Sequence, residues 1–386
     1  MIVKSVRLKN YRNIAYLDTS RLSGKDDAQE QKVFSAEDLF ADEKKTVRYE
    51  FSPGKNIIVG ENAQGKTNFI EAINYLSCLK SFRTASEEQL IREGCDAAYL
   101  ACEYKRRDHN GKIEAMLHKG GKKSIRVNGL PIQRVSELLG KINTVIFAPE
   151  DLRTLKESPG LRRRLIDIEI SKVRPSYYTS LQQMNAVLKN KNTVLKQKLP
   201  DRTLIEVYND AIVAHAEKIV SMRAAYIEKL SKYAAESHRM LNGSEELKIR
   251  YRSCCDPADI KTTLSEKLAS VMESERERGF CLTGPQREDF EILINEKPAK
   301  LFGSQGQQRS CMISIKLAVA RIAYESTGEY PILLLDDVFS ELDTKRAAAL
   351  FSAIENMQVF ITAAEYRSGF EKHNCLFMSN GSFNIQ

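Results

Sequence analysis

Residues 57–70 read Ile-Ile-Val-Gly-Glu-Asn-Ala-Gln-Gly-Lys-Thr-Asn-Phe-Ile, which predicts an apolar strand, a loop bounded by glycines and the start of a helix. The loop has the G-x-x-x-x-G-K-[ST] spacing of a phosphate-binding loop, whose backbone N–H groups must wrap around phosphates at the positive end of a helix. A chance match to the motif does not account for the strand before it and the helix after it. The predicted nucleotide-binding residues are Gly60, Glu61, Asn62, Ala63, Gln64, Gly65, Lys66 and Thr67.

An apolar run that ends in two acids supports this assignment. Residues 330–337 read Tyr-Pro-Ile-Leu-Leu-Leu-Asp-Asp, a pattern typical of a strand buried on both faces of a parallel sheet. An acid at the end of such a strand lies beside the phosphate loop, so Asp336 would bind the Mg²⁺ that Thr67 holds. The alternative for the paired aspartates is a helix N-cap or a turn.

Composition leaves several partners open. The chain has 386 residues, 42% of them hydrophobic and 28% charged, which suits two or three globular domains. Its net charge of +8 permits a polyanionic partner without identifying one. No apolar run approaches the length of about 18 residues that a membrane span needs, so we expect a cytoplasmic protein with no membrane contact. The eight cysteines contain no C-x-x-C pair, which favours reduced thiols.

The predicted elements indicate an α/β fold whose nucleotide-binding core is split along the chain. Strands and turns surround both motifs, whereas the region between them carries apolar residues at helical spacing. We therefore predict a mixed sheet with added antiparallel strands, formed by residues 1–150 and 281–386. A mostly helical domain, residues 151–280, is inserted between the two parts.

Several local predictions complete this picture. The dipeptides Asn110-Gly111 and Asn128-Gly129 suit hairpin turns. The residues from Ala299 to Leu301 suit a short strand, and a long helix is predicted from about Ser310. The charged segment of about residues 20–45 suits a solvated loop.

A basic cluster stands near the start of the predicted helical domain. Arg162, Arg163 and Arg164 are consecutive, and they could contact the phosphate backbone of DNA. The alternative is a solvated charged face with no ligand.

Three motifs together resemble the RecF family of bacterial recombination mediators. They are the phosphate loop, the segment Ser-Gln-Gly-Gln-Gln-Arg at 304–309, and the segment Leu-Leu-Asp-Asp-Val-Phe-Ser-Glu-Leu-Asp at 334–343. Residues 147–152 and 161–164 are also similar to the family's sequence, so the resemblance spans nearly the whole chain. The family belongs to the ABC-type ATPases, beside the structural-maintenance-of-chromosomes heads. The resemblance therefore implies an ABC-type P-loop ATPase head with an inserted, mostly helical second domain.

The resemblance also implies a homodimer that forms on ATP. ATP and Mg²⁺ on the phosphate loop of one subunit would be covered by the signature motif of the other. The signature residues would be Ser304, Gln305, Gly306 and Gln307, Asp343 would lie at the dimer seam, and Lys66 and Asp337 would be catalytic. The dimer would bind single-stranded and gapped double-stranded DNA and release it on slow, DNA-dependent hydrolysis. With RecO and RecR it would help to load RecA, in repair, replication restart and SOS induction.

Two departures from related ATPases bear on the chemistry. The base after the Mg²⁺-binding aspartate is usually glutamate, and Asp337 is one methylene shorter, so we expect slow hydrolysis. The histidine often found after the last core strand is replaced by Thr362-Ala363-Ala364. Three other readings compete. A transporter's ATPase subunit would place the signature segment much closer to the phosphate loop, and a small-molecule kinase leaves the segments 304–309 and 340–343 unexplained. A protein that keeps ATP as a structural ligand without useful turnover stays open because of Asp337.

Overall fold

The computed structural model describes residues 1–19, 51–107, 109–366 and 369–384. The predicted loop at residues 20–45 therefore lies outside the described residues. The described helices are α1 (Lys66–Cys78), α2 (Asp151–Lys156), α3 (Pro159–Val173), α4 (Pro175–Leu195), α5 (Arg202–Asn242), α6 (Ile260–Arg278), α7 (Ala299–Phe302), α8 (Gln305–Thr327) and α9 (Thr344–Ala353).

The described strands are β1 (Ile2–Tyr11), β2 (Ile14–Asp18), β3 (Lys55–Val59), β4 (Ala97–Arg106), β5 (His109–His118), β6 (Lys123–Val127), β7 (Leu130–Pro131), β8 (Thr144–Phe147), β9 (Leu247–Arg252), β10 (Asp289–Ile294), β11 (Lys297–Pro298), β12 (Ile332–Leu335), β13 (Val359–Ala363), β14 (Asn374–Ser379) and β15 (Ser382–Asn384). No described helix is both long enough and apolar enough to cross a membrane.

The chain forms two compact units. The first consists of Met1–Gln133, Pro331–Ser340 and Asn356–Gln386, and the second of Arg134–Tyr330 and Glu341–Glu355. This division differs from the predicted one, because residues 134–150, 281–330 and 341–355 belong to the second unit. The assignment of a head and an inserted domain stays a prediction.

The core of the first unit is a sheet in which the two predicted motif strands are close neighbours. Its strands run in the order β15, β14, β3, β13, β12, and the neighbours from β14 to β12 are parallel. Ile361 of β13 pairs with Ile57 on one side and with Leu335 on the other, and all three side chains are fully buried. Since parallel strands end at the same edge, the phosphate loop after β3 and the acids after β12 meet there.

The first unit also contains the antiparallel sheet that the sequence predicted, with strand order β2, β1, β4, β5, β6, β7. The predicted turn at Asn128-Gly129 is confirmed, because both residues have positive φ between β6 and β7. The predicted turn at Asn110-Gly111 is wrong, since both residues lie within β5, opposite β4. Gly111 is needed there for packing: a Cβ atom would lie 2.3 Å from the ring of Tyr104.

The second unit is built around the 41-residue helix α5. The apolar residues that recur at helical spacing in this region are buried on α5, among them Ile205, Ile212, Ile219 and Tyr226. The predicted strand at Ala299–Leu301 is wrong, because these residues belong to the short helix α7. The long helix α8 begins at Gln305, which is earlier than predicted, and Ser304 is its N-cap.

Candidate nucleotide-binding site

The phosphate loop follows β3 and leads into α1, as its motif predicts. Gly65 has φ +109°, a left-handed conformation that glycine adopts without strain. Gly60 is required for a different reason, because a Cβ atom at this position would lie 2.3 Å from the carbonyl oxygen of Met378. The two glycines thus give the loop its curvature and its close contact with β14.

Two segments that the sequence did not predict to be part of the site form hydrogen bonds with the phosphate loop. The turn between β14 and β15 donates its Asn380 and Gly381 N–H groups to the side-chain and backbone oxygens of Gln64, at 2.6 and 2.9 Å. From the turn after β1, Asn13 Nδ2 donates to the carbonyl oxygen of Ala63 at 2.8 Å. The Asn-Gly dipeptide predicts a turn, but no sequence signal shows which loop that turn contacts.

The side chain of Lys66 curls back over the loop. Its ammonium group donates to the carbonyl oxygens of Gly60 and Glu61 at 2.5 and 2.6 Å. Burial lowers the pKa of Lys66, and the charges of Asp337 and Asp336 oppose that shift. The ammonium group therefore lies inside the loop, near both acids.

Asp336 lies beside Thr67, although 269 residues separate them in the sequence. The Thr67 hydroxyl is 2.9 Å from both carboxylate oxygens, and the Thr362 hydroxyl donates to Oδ1 at 2.8 Å. Burial raises the pKa of Asp336, while the hydrogen bonds from Thr362 and Thr67 lower it. The side chain is thus a buried carboxylate held in one orientation.

This pair of residues fits Mg²⁺. A hydroxyl and a carboxylate are hard oxygen donors, and Mg²⁺ in nucleotide sites takes one or two protein ligands together with phosphate oxygens. Among the described residues no cluster of three or more His, Cys, Asp or Glu side chains could hold a metal ion by itself. Mg²⁺ bound by Thr67 and Asp336 would complete its ligands with nucleotide oxygens and water.

Asp337 differs from the adjacent Asp336 in its exposure to solvent. Its side chain is exposed, whereas only 5% of Asp336 is accessible to solvent. Its backbone is in the left-handed region with φ +52°, and its N–H group donates to the Thr362 hydroxyl at 2.9 Å. The two adjacent carboxylates are thus in different environments, one inside the sheet edge and one on its surface.

The predicted signature motif and Asp343 lie in the second unit. Ser304 caps α8: its hydroxyl accepts from the N–H of Gln307 at 3.2 Å, and the Gln307 side chain accepts from its N–H at 2.8 Å. Ser304 and Gln305 are exposed, while Gly306 and Gln307 are half-buried. Asp343 caps α9 through the N–H of Arg346 at 2.9 Å. Their roles toward a second subunit stay predictions.

The predicted DNA contact by Arg162 is corrected by the structure. Arg162 is 8% exposed and donates two hydrogen bonds to Asp289, at 2.7 and 2.9 Å. Arg163 is half-buried and donates to the carbonyl oxygen of Glu288. Only Arg164 of the three is exposed. Arg162 therefore joins two segments of the second unit, and the DNA-binding prediction stays open for Arg164.

The fold and the site together define the class. A parallel sheet that brings a phosphate loop next to a buried aspartate is the core of a P-loop ATPase, and the similarity to SMC heads identifies the ABC-type form of that core. The family described as "RecF/RecN/SMC N terminal domain" matches residues 39–379. The solved Smc head domain with a coiled coil and joint from Pyrococcus yayanosii has the same fold, with a TM-score of 0.56 at 13% identity over 100% of this chain and 96% of that chain.

Similarity to individual proteins shows which family within this class the chain belongs to. A "DNA replication and repair protein RecF" from Clostridium perfringens (strain 13 / Type A) is 41% identical over 312 residues, which cover 80% of this chain and 86% of that protein. Its counterpart from Clostridioides difficile (strain 630) is 39% identical over 339 residues, covering 86% and 91%. The solved structure of "the recombination mediator protein RecF-ATP in RecFOR pathway" has a TM-score of 0.85 at 31% identity and covers 99% of this chain and 98% of that one. The chain belongs to the RecF family.

Proposed function

We propose that this protein is an ATP-controlled DNA-binding protein of recombinational repair and replication restart. Two copies bind each other through two shared ATP molecules, close on single-stranded or gapped double-stranded DNA, and release it when ATP is hydrolysed. The relatives named for DNA replication and repair and for the RecFOR pathway support this role. RecO and RecR are then the expected partners, with RecA loading and SOS induction as the consequences.

The observation that carries the proposal is the contact between Thr67 and Asp336 beside the phosphate loop. Residues 60–67 would hold the phosphates through backbone N–H groups, and Lys66 would turn from the loop carbonyls to the β- and γ-phosphates. Mg²⁺ held by Thr67 and Asp336 would neutralise charge that develops on the phosphates. The chain therefore has the parts needed to bind Mg²⁺-ATP.

Hydrolysis needs a base and a cover for the exposed side of the site. Asp337 is the proposed base that orients the attacking water, and its side chain is exposed. Ser304, Gly306 and Gln307 of a second copy would provide the cover, since the N-terminus of α8 is favourable for phosphate charge. Because each half-site is incomplete, nucleotide binding and dimerisation are linked.

The test is binding to a gapped DNA duplex with ATP and Mg²⁺ and without them, using wild type and Lys66→Ala. We expect ATP to tighten binding by wild type at least tenfold and to leave Lys66→Ala unchanged. Lys261→Ala, which alters an exposed lysine of α6, is the matched control and should respond to ATP as wild type does. A wild-type protein whose DNA affinity is the same with and without ATP would contradict the proposed function.

A further inference from the structure

Thr362 occupies a central position between the two motif strands. It lies on β13, which pairs with β3 on one side and β12 on the other, and only 2% of the residue is exposed. Its hydroxyl donates to Asp336 Oδ1 at 2.8 Å and accepts from the Asp337 N–H at 2.9 Å. One hydroxyl group therefore contacts both acids of the site, one through its carboxylate and the other through its backbone.

Each of these contacts restricts a group on which the chemistry depends. Asp336 is held between the Thr362 and Thr67 hydroxyls, so its carboxylate has one orientation toward the place of the metal ion. Partners that orient metal ligands in this way often affect metal affinity or activity about 10- to 100-fold. The Thr362 contact is therefore expected to influence how the site takes up Mg²⁺.

The second contact acts on the backbone of the proposed base. Asp337 has φ +52°, a left-handed conformation that is uncommon for residues with a side chain, although aspartate adopts it more readily than most. The hydrogen bond from its N–H to Thr362 restrains the backbone in this conformation. Without that bond the backbone could relax toward negative φ and move the carboxylate.

Few side chains can make both contacts. A hydroxyl has one hydrogen to donate and two lone pairs, so it can donate to Asp336 while it accepts from Asp337. Threonine adds the β-branched shape that suits a buried strand. Valine has almost the same shape and no hydroxyl, whereas serine keeps the hydroxyl and loses the methyl group.

We propose that Thr362 is a positioning residue for ATP hydrolysis, whose single hydroxyl orients both the Mg²⁺-binding carboxylate of Asp336 and the backbone of the base Asp337. The inference rests on the proposed function, because it assigns a role within the same site.

The test compares Thr362→Val with Thr362→Ser in three measurements: the kcat and KM of phosphate release, the Mg²⁺ concentration that half-saturates binding of a non-hydrolysable ATP analogue, and thermal unfolding. For Thr362→Val we expect kcat to fall about 10- to 100-fold and the required Mg²⁺ to rise about tenfold. Analogue binding in EDTA should stay within twofold of wild type. Thr362→Ser should recover most of both losses.

Thr19→Val is the matched control. The Thr19 hydroxyl is also buried and also makes two hydrogen bonds, with the N–H and carbonyl groups of Val6, but it lies at the end of β2 in the antiparallel sheet. This variant should lose stability and keep the Mg²⁺ requirement of wild type. If Thr362→Val does not fold, Thr362→Ala takes its place in the same comparison.

Two results would overturn the inference. One is a Thr362→Val protein with wild-type kcat and wild-type Mg²⁺ requirement. The other is a Thr362→Ser protein as impaired as Thr362→Val, which would assign the effect to packing of the methyl group. The Mg²⁺ titration also separates this inference from the proposed function: a wild type without turnover refutes hydrolysis, while the change in Mg²⁺ requirement still tests Thr362.

Discussion

The buried carboxylate at the candidate site is held differently from buried charges elsewhere in the two compact units. In the first unit, the hydroxyl groups of Thr67 and Thr362 hold Asp336, whereas the buried Glu71 pairs with Arg12 at 2.8 Å. In the second, buried charges meet opposite charges: Lys191 lies 2.6 Å from Glu275, with both side chains fully buried. Arg223, 3% exposed, forms ion pairs in the same unit with Asp167 and Glu288, at 2.8 and 2.7 Å.

The difference shows where a ligand is expected. A buried charge paired with an opposite charge is neutralised within the fold, so its removal should affect stability. A buried carboxylate that only hydroxyl groups orient can still accept a cation and phosphates. Ala63 and Asp337 have positive φ, +66° and +52°, at the edge where the nucleotide is proposed to bind.

The largest effect is expected from Asp337→Asn, which should affect chemistry without affecting folding. General bases contribute about 10²- to 10⁴-fold to rate, so phosphate release should fall by a factor in that range. The side chain is exposed, so the thermal midpoint and ATP affinity should stay close to wild type. Unchanged phosphate release would exclude Asp337 as the base.

The reverse result is expected in the second unit from Lys191→Met. This change leaves Glu275 buried without its cation, and breaking a buried pair in this way costs about 3–5 kcal/mol. The free energy of unfolding should fall by that amount while the folded protein binds ATP as wild type does. The double variant Lys191→Met/Glu275→Gln removes both charges and keeps an acceptor for the N–H of Leu282. It should be more stable than the single variant; equal losses would contradict the ion-pair argument.

Arg162 and Arg164 provide a smaller test within one helix. Arg162→Ala removes two charged hydrogen bonds to Asp289, so the free energy of unfolding should fall by about 1.5–3 kcal/mol. Arg164→Ala, at an exposed position, should change it by less than about 0.5 kcal/mol. If Arg164 contacts DNA phosphate, its loss should lower the salt-dependence slope of DNA binding by about 1. An unchanged slope would leave Arg164 as a solvated surface charge.

The smallest effect concerns pH and His238 on α5. Burial lowers the pKa of His238, while the hydrogen bond to Glu245 opposes that shift and the charge of Arg346 adds to it. In the unfolded chain histidine titrates near pH 6.5, so below that pH the unfolded state takes up the proton more readily. Stability should therefore fall as the pH decreases from about 6.5. Urea unfolding of His238→Gln should show a smaller loss between neutral and mildly acidic pH, and parallel pH profiles would contradict the shift.

The sequence predicts the nucleotide site better than it predicts the structural charges. The phosphate loop has a fixed local spacing, and the rule for parallel strands brings Asp336 to it across 269 residues. No comparable rule pairs Arg162 with Asp289, 127 residues away. The run of three arginines was therefore interpreted as a contact with the DNA backbone.

The sequence also does not predict contacts made by residue types that occur throughout the chain. Asn380 and Thr362 touch the site through a backbone N–H and a hydroxyl, and neither residue type signals such a role by itself. Gly111 was predicted to lie in a turn because the Asn-Gly dipeptide is a local turn signal. Its packing against Tyr104 depends instead on the pairing of β5 with β4, which the local sequence does not show.

The proposed function depends most on dimerisation, in which two copies of this chain share ATP and each completes the other's site. Light scattering coupled to size-exclusion chromatography measures dimerisation directly, on wild type and Lys66→Ala with Mg²⁺ and a non-hydrolysable ATP analogue. We expect wild type to double its mass when the analogue is added, while Lys66→Ala keeps the mass of a single chain. A wild-type protein that stays monomeric at saturating analogue would contradict it.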